Sequence, residues 1–419
     1  MDSPHAYLVT GGCGLQGSSI VETLLPTLEN GSKITVLARN PTTNLFPGVD
    51  YRKCDITSAD SVREALGQAK PDVVFHCAGI MTAARRPVPD ETVRITNVDG
   101  TRHLLEESQK LGAVKAFVFT SSASTVQKPG QVKTRGADET WPTTEESDAV
   151  DIYPKTKATA ERMVLAADTE GGMRTAALRP AVIYGERDND LIPMMMASLR
   201  AGKQKMQVGD GKNLFSFTYV KNATQGHLLA MEKLLSTDPK EVNRVAGESF
   251  FVTNEEKVPF WDFARMVFKC AGTDVREEEV WKIPLSGALA VAWAMEWISW
   301  LTGKKPGLTR VATRLTSVDR YFEIGKAKER LGYKPEVAWD EGVRRGVEWF
   351  LENEKNEKHE AHVIRMDVVS GADLVIIIVP NLNYQVRPVH DGGFSGNQID
   401  TPEGTVVLNR GDAVADNYK

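Results

Sequence analysis

A tyrosine and a lysine four residues apart, Tyr153 and Lys157, are the side chains of this sequence best suited to acid–base chemistry. On a helix, residues at this spacing lie on one face about a turn apart, so the lysine ammonium can sit near the tyrosine phenol. A positive charge about 4 Å away lowers the pKa of a phenol by roughly three units from its ordinary value near 10. The pair is therefore suited to act as a general acid and base near neutral pH, although the same spacing is common on solvated helix faces.

The start of the chain predicts elements that would position such a pair. The apolar run 6–10 leads into glycines at Gly11, Gly14 and Gly17, and helical periodicity follows over 18–28. A strand, a glycine turn and a helix in this order are typical of a dinucleotide site, where the backbone approaches a pyrophosphate at the helix N-terminus. The glycine spacing is GxxGxxG and not GxGxxG. The prediction of a dinucleotide site therefore depends on the position of these glycines between a strand and a helix.

Short apolar runs then alternate with helical segments. The predicted strands after the first are 33–37, a run that ends at 54–56, 72–79 and 116–120. This alternation predicts an α/β fold, a doubly wound parallel sheet (Rossmann) with a smaller C-terminal substrate lobe. Ligands of such sheets bind beyond the carboxyl ends of the strands, and the serines of 121–124 follow one such end. His76 closes an apolar strand and is interpreted as a structural residue.

The residues after the second strand bear on the choice of cofactor. An NAD site usually has an acidic residue here, but this chain has Ala38 and Arg39, and an arginine can pair with a 2′-phosphate. We therefore favour NADP, with NAD as the alternative in which Arg39 points into water. Asp55 either faces the adenine or caps the helix that follows.

Composition narrows the class of protein. The chain has 419 residues and a net charge of -5, which favours two packed domains and gives no indication of nucleic acid as a partner. Its four cysteines lack CxxC spacing and are interpreted as reduced, buried thiols of an intracellular protein. The seven histidines are scattered, so no metal site is predicted, and residues 1–5 do not have the pattern of a secretory signal.

These features together resemble an extended short-chain dehydrogenase/reductase, and further motifs resemble its 3β-hydroxysteroid dehydrogenase branch. Those motifs are ThrSerSerAlaSer at 120–124, AlaAspGluThrTrpPro at 137–142, AlaLeuArgPro at 177–180 and IleTyrGlyGluArgAsp at 183–188. Later stretches at 209–220, 247–255 and 303–309 are similar to fungal sterol-4α-carboxylate 3-dehydrogenases. The resemblance covers residues 6 to about 350.

The resemblance implies roles for individual residues. Tyr153 would be the catalytic acid/base, Lys157 would lower its pKa and hold the nicotinamide ribose, and Ser122 would hydrogen-bond the reacting oxygen. Ser124 is the rival serine. Ala38 departs from the pattern, because many sterol members have aspartate there. The residues expected to contact the cofactor are Gly11, Gly14, Leu15, Gly17, Arg39, Asp55, Ile56, Ala78, Gly79, Tyr153, Lys157, Pro180 and Ile183.

The implied reaction is oxidation of a 3β-hydroxyl on a sterol or triterpenoid, with hydride passing to the nicotinamide. If the substrate has a carboxylate on carbon 4, the 3-keto product can lose it as carbon dioxide. The alternatives are an NADP-dependent reductase of another ketone or hydroxyl in a natural-product pathway, and a non-catalytic dinucleotide-binding or scaffold protein. The presence of Ser122, Tyr153 and Lys157 together argues against the latter.

The predicted division of the chain is a dinucleotide-binding domain at 1–185, a substrate lobe at 186–352 and a tail of unassigned role at 353–419. Segments 218–247 and 309–330 are candidates to return to the first domain. The candidate sterol contacts are Met194, Met195 and Met196 and the alternating Phe215, Phe217 and Tyr219, with ordinary core packing as the alternative. Within the tail, 374–379 is strongly strand-like. A small appended β element, a partly disordered extension and a product of how the gene was read are the alternatives, and none is preferred.

The segment 283–302 is almost entirely apolar, with Trp293, Trp297 and Trp300 and a single charge at Glu296. Its length would suffice to cross a membrane, but the carboxylate opposes insertion and tryptophans favour the interface. We therefore expect peripheral membrane association of a sterol-binding enzyme, at the cytoplasmic face of the endoplasmic reticulum or from the cytoplasm. A buried helix in the substrate lobe is the alternative, and a homodimer is left open.

Overall fold

The computed structural model describes residues 4–81, 88–130, 133–302, 309–363, 386–388, 396–401 and 404–409. The chain divides into two compact units, Met1–Phe350 and Leu351–Lys419. The first unit contains the parallel sheet and every predicted site residue. It is built around a seven-stranded sheet and a smaller mixed sheet.

The strands are numbered in chain order. They are β1 Ala6–Thr10, β2 Lys33–Ala38, β3 Asp50–Lys53, β4 Val73–His76, β5 Ala116–Thr120, β6 Thr134–Ala137, β7 Arg174–Pro180, β8 Val182–Tyr184, β9 Met206–Val208, β10 Leu214–Tyr219, β11 Glu248–Val252, β12 Lys257–Pro259, β13 Trp281–Ile283, β14 Arg320–Phe322, β15 Val386–Pro388, β16 Gly396–Thr401 and β17 Gly404–Asn409.

The helices are numbered in the same way. They are α1 Leu15–Leu24, α2 Ala59–Ala69, α3 Asp90–Arg94, α4 Gly100–Leu111, α5 Ile152–Ala166, α6 Leu191–Arg200, α7 Val220–Leu234, α8 Pro239–Asn243, α9 Phe260–Cys270, α10 Leu285–Thr302, α11 Arg310–Leu315, α12 Gly325–Leu331 and α13 Trp339–Val363. Short 3₁₀ turns lie at Leu25–Thr27, Ala123–Val126 and Glu277–Glu279, and a π-helical turn at Ile95–Asp99 joins α3 to α4.

The large sheet is parallel throughout, in the order β11-β7-β5-β4-β1-β2-β3. The strand order reverses between β1 and β4, and this switch point is where doubly wound sheets bind ligands. The predicted doubly wound fold is therefore confirmed. Helix α7 packs against β5 and β7, so part of 218–247 lies on this sheet, whereas β14 from 309–330 pairs in the smaller one.

Both faces of the large sheet are covered by helices. Successive residues of a strand face opposite sides, so Val9 packs into one core and Leu8 into the other. The first core includes residues of α1 and α7, and the second includes residues of α2, α4 and α5. This three-layer arrangement buries the strands and leaves their carboxyl ends available for the site.

The smaller sheet has the order β12-β10-β14-β6, with β8 paired to β10. It joins strands from distant parts of the chain, because Arg320 of β14 lies opposite both Phe215 of β10 and Thr134 of β6. Long-range pairing of this kind is not visible in local sequence patterns.

The apolar segment predicted at 283–302 forms helix α10, and much of its surface is exposed. Five large apolar residues are each more than half exposed, namely Val291, Trp293, Trp297, Ile298 and Leu301. Glu296 pairs with Arg310 of α11 at 2.6 Å. In the described part of the chain, no helix combines the length and the hydropathy that a membrane span needs.

The described residues of the second unit include an antiparallel sheet, β15-β16-β17. The strand predicted at 374–379 lies outside the described residues. In the first unit the four cysteines are free; Cys54 is buried, whereas Cys13, Cys77 and Cys270 are partly exposed, contrary to the expectation that all are buried.

Candidate active site

Ser122 and Tyr153 are brought together from two different elements. β5 ends at Thr120, and Ser122 caps the 3₁₀ turn that follows by accepting a hydrogen bond from the Ser124 backbone N–H at 3.2 Å. Tyr153 lies in the first turn of α5. The side chains of Ser122 and Tyr153 are hydrogen-bond partners, and the Ser122 hydroxyl also lies 2.9 Å from that of Ser124. The structure therefore places Ser122 at the phenol and Ser124 beside it.

The Tyr153 phenol is half-buried, and this burial raises its pKa above the ordinary value. Two neighbours act in the opposite direction: the hydrogen bond with Ser122 and the positive charge of Arg320 both lower the pKa. Asp190 raises it. The protonated phenol is the form that predominates at neutral pH in this state.

The Lys157 ammonium is held by the end of β5. It is buried, donates a hydrogen bond to the backbone carbonyl oxygen of Thr120 at 2.6 Å, and lies 4.1 Å from the centre of the Phe119 ring. Burial lowers the pKa of Lys157 to about 8. In this structure the ammonium is directed to Thr120, and the cation that acts on the phenol is Arg320. That Lys157 lowers the pKa of Tyr153 stays a prediction.

Arg320 is a site residue that the sequence analysis missed. It begins β14, is half-buried, and lies close enough to Tyr153 for each side chain to influence the other's pKa. Burial lowers the pKa of Arg320. The preceding residue, Asp319, forms an ion pair with Arg135 at 2.6 Å. A half-buried arginine beside the reacting phenol is suited to bind an anionic group of a substrate.

The glycine turn forms the close-packed cradle that a dinucleotide site needs. Gly11 has φ +68°, and a Cβ atom there would lie 2.8 Å from the backbone nitrogen of Ala78. A Cβ atom at Gly17 would overlap the carbonyl oxygen of Gly11. Gly14 is the N-cap of α1, which begins at Leu15 and directs its N-terminus to this turn. These residues fit the pyrophosphate of a nicotinamide dinucleotide.

The end of β4 connects this cradle to the catalytic lysine. The Ala78 N–H donates to the Thr10 hydroxyl at 3.2 Å. A Cβ atom at Gly79 would lie 3.2 Å from the Asn97 side-chain oxygen and 3.9 Å from Lys157 Nζ. Ala78 and Gly79 therefore lie between the glycine turn and Lys157, and their contact with a cofactor stays a prediction.

Pro180 and Ile183 lie in the next two strands. Pro180 ends β7 and is opposite Val252 of β11, while Ile183 lies in β8 opposite Thr218 of β10. Their contact with a nicotinamide stays a prediction.

Three of the expected cofactor contacts, Arg39, Asp55 and Ile56, differ in their surroundings. Arg39 directly follows β2 and is exposed, and within the described residues nothing hydrogen-bonds to or pairs with its guanidinium. Asp55 accepts hydrogen bonds from the N–H and hydroxyl of Thr57 at 3.0 and 2.8 Å. The alternative that Asp55 caps α2 is wrong, because Ser58 is the N-cap. Ile56 is 6% exposed, so its side chain packs in the core and its backbone is the part near the site.

The candidate sterol contacts are largely core residues. Phe215, Phe217 and Tyr219 share one face of β10, as predicted, but all are buried, and Phe217 stacks on Phe263 with ring centres 3.9 Å apart. Strand alternation cannot distinguish a core face from a pocket wall, and here core packing is correct. Among the three methionines, Met195 and Met196 are buried, and Met194 is exposed.

His76 has the structural role predicted for it. Its ring nitrogens lie 2.7 Å from the Thr10 hydroxyl and 2.8 Å from the Thr101 hydroxyl, and burial lowers its pKa to about 3. Across the described residues, no three metal-ligating side chains form a group that could hold an ion.

Comparison with known proteins identifies relatives over most of the chain. The family model for the 3-beta hydroxysteroid dehydrogenase/isomerase family matches residues 8–285. The decarboxylating sterol-4-alpha-carboxylate 3-dehydrogenase of Saccharomyces cerevisiae is 40% identical over 73% of this chain and 84% of its own length. The Candida albicans protein of the same name is 36% identical over 84% of this chain and 99% of its own length.

Solved structures support the fold. An epimerase from Methanothermobacter thermautotrophicus has a TM-score of 0.64 at 21% identity, covering 85% of this chain and 95% of its own. The UDP-glucose 4-epimerase of Thermus thermophilus, solved with NAD, has a TM-score of 0.60 at 23% identity, covering 82% of this chain and 98% of its own. At this identity the likeness establishes the Rossmann-like fold, which is suited to an NAD(P) cofactor. From the family model and these relatives, the chain belongs to the 3-beta hydroxysteroid dehydrogenase/isomerase family and is an oxidoreductase.

Proposed function

We propose that this enzyme oxidises the 3β-hydroxyl of a 4-carboxylated sterol or triterpenoid, and that the 3-keto product then loses its carboxylate as carbon dioxide. The names of the relatives from two yeasts support the reaction. The observation that carries the proposal is Arg320, a half-buried arginine whose positive charge acts on the Tyr153 phenol. A substrate with a hydroxyl and a carboxylate on adjacent carbons matches this juxtaposition of groups.

The proposed proton transfer uses Tyr153 and Ser122. The Tyr153 phenolate takes the proton of the 3-hydroxyl, and the Ser122 hydroxyl donates a hydrogen bond to the reacting oxygen. When bound, NAD(P)⁺ supplies the acceptor for the hydride that leaves carbon 3. Lys157 would hold the nicotinamide ribose. Arg320 favours the phenolate because a nearby positive charge stabilises the deprotonated form.

The decarboxylation follows from the product's own chemistry. Oxidation of the 3-hydroxyl makes a β-keto acid, in which the bond between carbon 4 and the carboxylate breaks. Carbon dioxide leaves, and the electron pair of that bond moves through carbon 4 to the ketone oxygen as an enolate, which is then protonated. Arg320 would bind the carboxylate before this step and orient the 3-hydroxyl towards Tyr153.

We further propose that the cofactor is NADP rather than NAD. The support is the pair of residues at the end of β2. Ala38, the last residue of the strand, stands where an acidic residue is usual, and the exposed guanidinium of Arg39 has no partner among the described residues. An arginine in this position suits a 2′-phosphate, whereas the two ribose hydroxyls of NAD would lack their carboxylate partner.

We also propose that α10 lies on a membrane surface, at the cytoplasmic face of the endoplasmic reticulum. Trp293 and Trp297 are 57% and 55% exposed, and indole rings are favoured at the level of lipid head groups. Glu296 is paired with Arg310 and so does not oppose this shallow position. An enzyme bound to a membrane surface would have direct access to a sterol substrate, because sterols partition into lipid.

The test is a spectrophotometric assay of purified enzyme with matched 3β-hydroxysterols that have or lack the 4-carboxyl group. Reduction of NADP, with carbon dioxide released from the carboxylated sterols, supports the proposal. Equal turnover of both classes would indicate a general 3β-hydroxysteroid dehydrogenase. No reduction by any sterol would refute the proposal and favour a reductase of another ketone.

A further inference from the structure

A buried polar network lies directly beneath the candidate site. Its members are Ser121, Glu161 and Arg179, which are 3%, 1% and 3% exposed. The Ser121 hydroxyl donates to Glu161 at 2.6 Å. Arg179 donates to both oxygens of the same carboxylate, at 2.5 Å from one nitrogen and at 2.9 and 3.1 Å from the other. One carboxylate therefore binds two partners, one directly after β5 and one in β7.

Each member of this network lies next to a residue of the site. Ser121 directly precedes Ser122, and Arg179 directly precedes Pro180. Glu161 lies on α5 four residues after Lys157, on the helix face that also holds Tyr153. The network thus connects the end of β5 and the helix α5, which hold the proposed catalytic groups, with the end of β7, which holds Pro180.

The bonding pattern indicates that the network fixes positions. Ions buried in this way lose several kcal/mol of hydration, so the pair is not simply a source of stability. One nitrogen of Arg179, Nη1, is buried without a hydrogen-bond partner, which means that even this network is incompletely satisfied. A buried polar network that is unfavourable to desolvate can still fix one arrangement of the elements that it joins. Here that arrangement is the packing of α5 against β5 and β7.

The charges around Lys157 give Glu161 a second effect. The titratable groups that face Lys157 from other elements are His76 and Cys77 at the end of β4 and His227 on α7. Burial lowers the pKa of His76 to about 3 and that of His227 to about 4, and raises that of Cys77 to about 11. All three are uncharged at neutral pH, whereas the Glu161 carboxylate raises the pKa of Lys157.

We infer that Ser121 and Glu161 are positioning residues of this enzyme, which hold Ser122, Tyr153 and Lys157 in the reactive arrangement through the Ser121–Glu161–Arg179 network. This inference rests on the proposed catalytic roles of those three residues. Ser121 fixes the strand end that presents Ser122. Glu161 fixes the helix and keeps the ammonium of Lys157 charged.

The principal test is the variant Ser121→Ala, which leaves the ion pair of Glu161 and Arg179 intact and is therefore expected to fold. Its kcat should fall by roughly ten- to hundredfold, because a small misplacement of catalytic groups is costly, while the KM values for sterol and cofactor stay near those of the wild type. The matched control is Tyr333→Phe, which removes a buried hydroxyl that donates to the Thr253 carbonyl at 2.9 Å. The control should lose thermal stability and keep its kcat.

The second test is the pH profile of Glu161→Gln. Loss of the carboxylate should lower the pKa of Lys157, so the pH above which KM for the cofactor rises should move down. An unchanged kcat in Ser121→Ala together with an unchanged pH profile in Glu161→Gln would overturn the inference. Separate variants, Lys157→Met and Tyr153→Phe, test its basis: activity retained in either would refute the catalytic assignment and the inference with it. Loss of activity in both leaves the Ser121 and Glu161 results to decide.

Discussion

The Lys157 ammonium donates a 2.6 Å hydrogen bond to the backbone carbonyl oxygen of Thr120, two residues before Ser122. This bond connects the catalytic helix to the strand end that presents the serine. Of the two cations, Arg320 is the one whose charge lowers the pKa of the Tyr153 phenol in this structure.

The first prediction concerns the loss of this ammonium at high pH. Burial lowers the pKa of Lys157 to about 8, so the cation is present below that pH and is lost as the pH rises through it. Because the ammonium would hold the nicotinamide ribose, we expect KM for the cofactor to rise above pH 8. In Lys157→Arg, whose guanidinium stays charged, this rise should begin at a higher pH. A rise at the same pH in both proteins would contradict the assignment.

The second prediction distinguishes the two serines near Tyr153. Ser122→Ala removes the hydrogen bond that lowers the pKa of the phenol, so the acid limb of the oxidation should move to higher pH. The rate should fall by about 10²-fold, a typical loss for one group in acid–base catalysis. Ser124→Ala leaves the bond between Ser122 and Tyr153 and should lose far less. The reverse order would make Ser124 the functional serine.

The third prediction concerns recognition of the carboxylate. Arg320→Met should raise KM for a 4-carboxylated sterol by about ten- to hundredfold, because a charge-assisted pair contributes roughly 1.5–3 kcal/mol. KM for the matched sterol without a carboxyl group should change little. The control is Arg135→Met on the neighbouring β6, an arginine paired with Asp319. An equal effect of Arg320→Met on both sterols would show that Arg320 does not select the carboxylate.

The fourth prediction concerns the cofactor. Arg39→Ala should raise KM for NADP about tenfold or more and leave KM for NAD nearly unchanged, because only NADP has the 2′-phosphate. Ala38→Asp should act in the opposite sense, improving NAD and excluding NADP by charge repulsion. If wild-type enzyme prefers NAD and Arg39→Ala changes neither constant, the NADP proposal is wrong.

The fifth prediction concerns α10. The double variant Trp293→Ser/Trp297→Ser should reduce binding to phosphatidylcholine vesicles containing phosphatidylserine by roughly tenfold or more, since each buried indole contributes more than 1 kcal/mol. Leu45→Ser, which replaces a large apolar residue that is 50% exposed elsewhere, serves as the control. Co-sedimentation measures both. Equal sedimentation of wild type, double variant and control would exclude this helix as the membrane contact.

Local patterns predicted the parallel sheet well. The strand expected at 116–120 coincides with β5, and that expected at 33–37 is one residue short of β2. A buried parallel strand is a short apolar run between turns, so its signal is contained in the run itself. The family resemblance assigns Ser122 and Tyr153 to the same reacting group of the substrate, although the two residues come from different elements.

Features that depend on long-range pairing were not predicted. Arg320 lies in a three-residue strand that reaches Tyr153 only because β14 pairs with β10 and β6. The alternation of Phe215, Phe217 and Tyr219 correctly predicted a shared face, but whether that face meets core or ligand depends on α9, which packs Phe263 against it. Asp55 and Ser58 are both good helix caps by residue type, and only the backbone path distinguishes them.

The most direct test of the central claim is the ratio of carbon dioxide released to cofactor reduced, measured in one reaction with a 4-carboxylated 3β-hydroxysterol. We predict equal amounts of the two for the wild type and neither product for Tyr153→Phe, because decarboxylation requires the ketone that the Tyr153-dependent oxidation makes. Carbon dioxide without cofactor reduction, or reduction by Tyr153→Phe at the wild-type rate, would contradict the proposed function of this site.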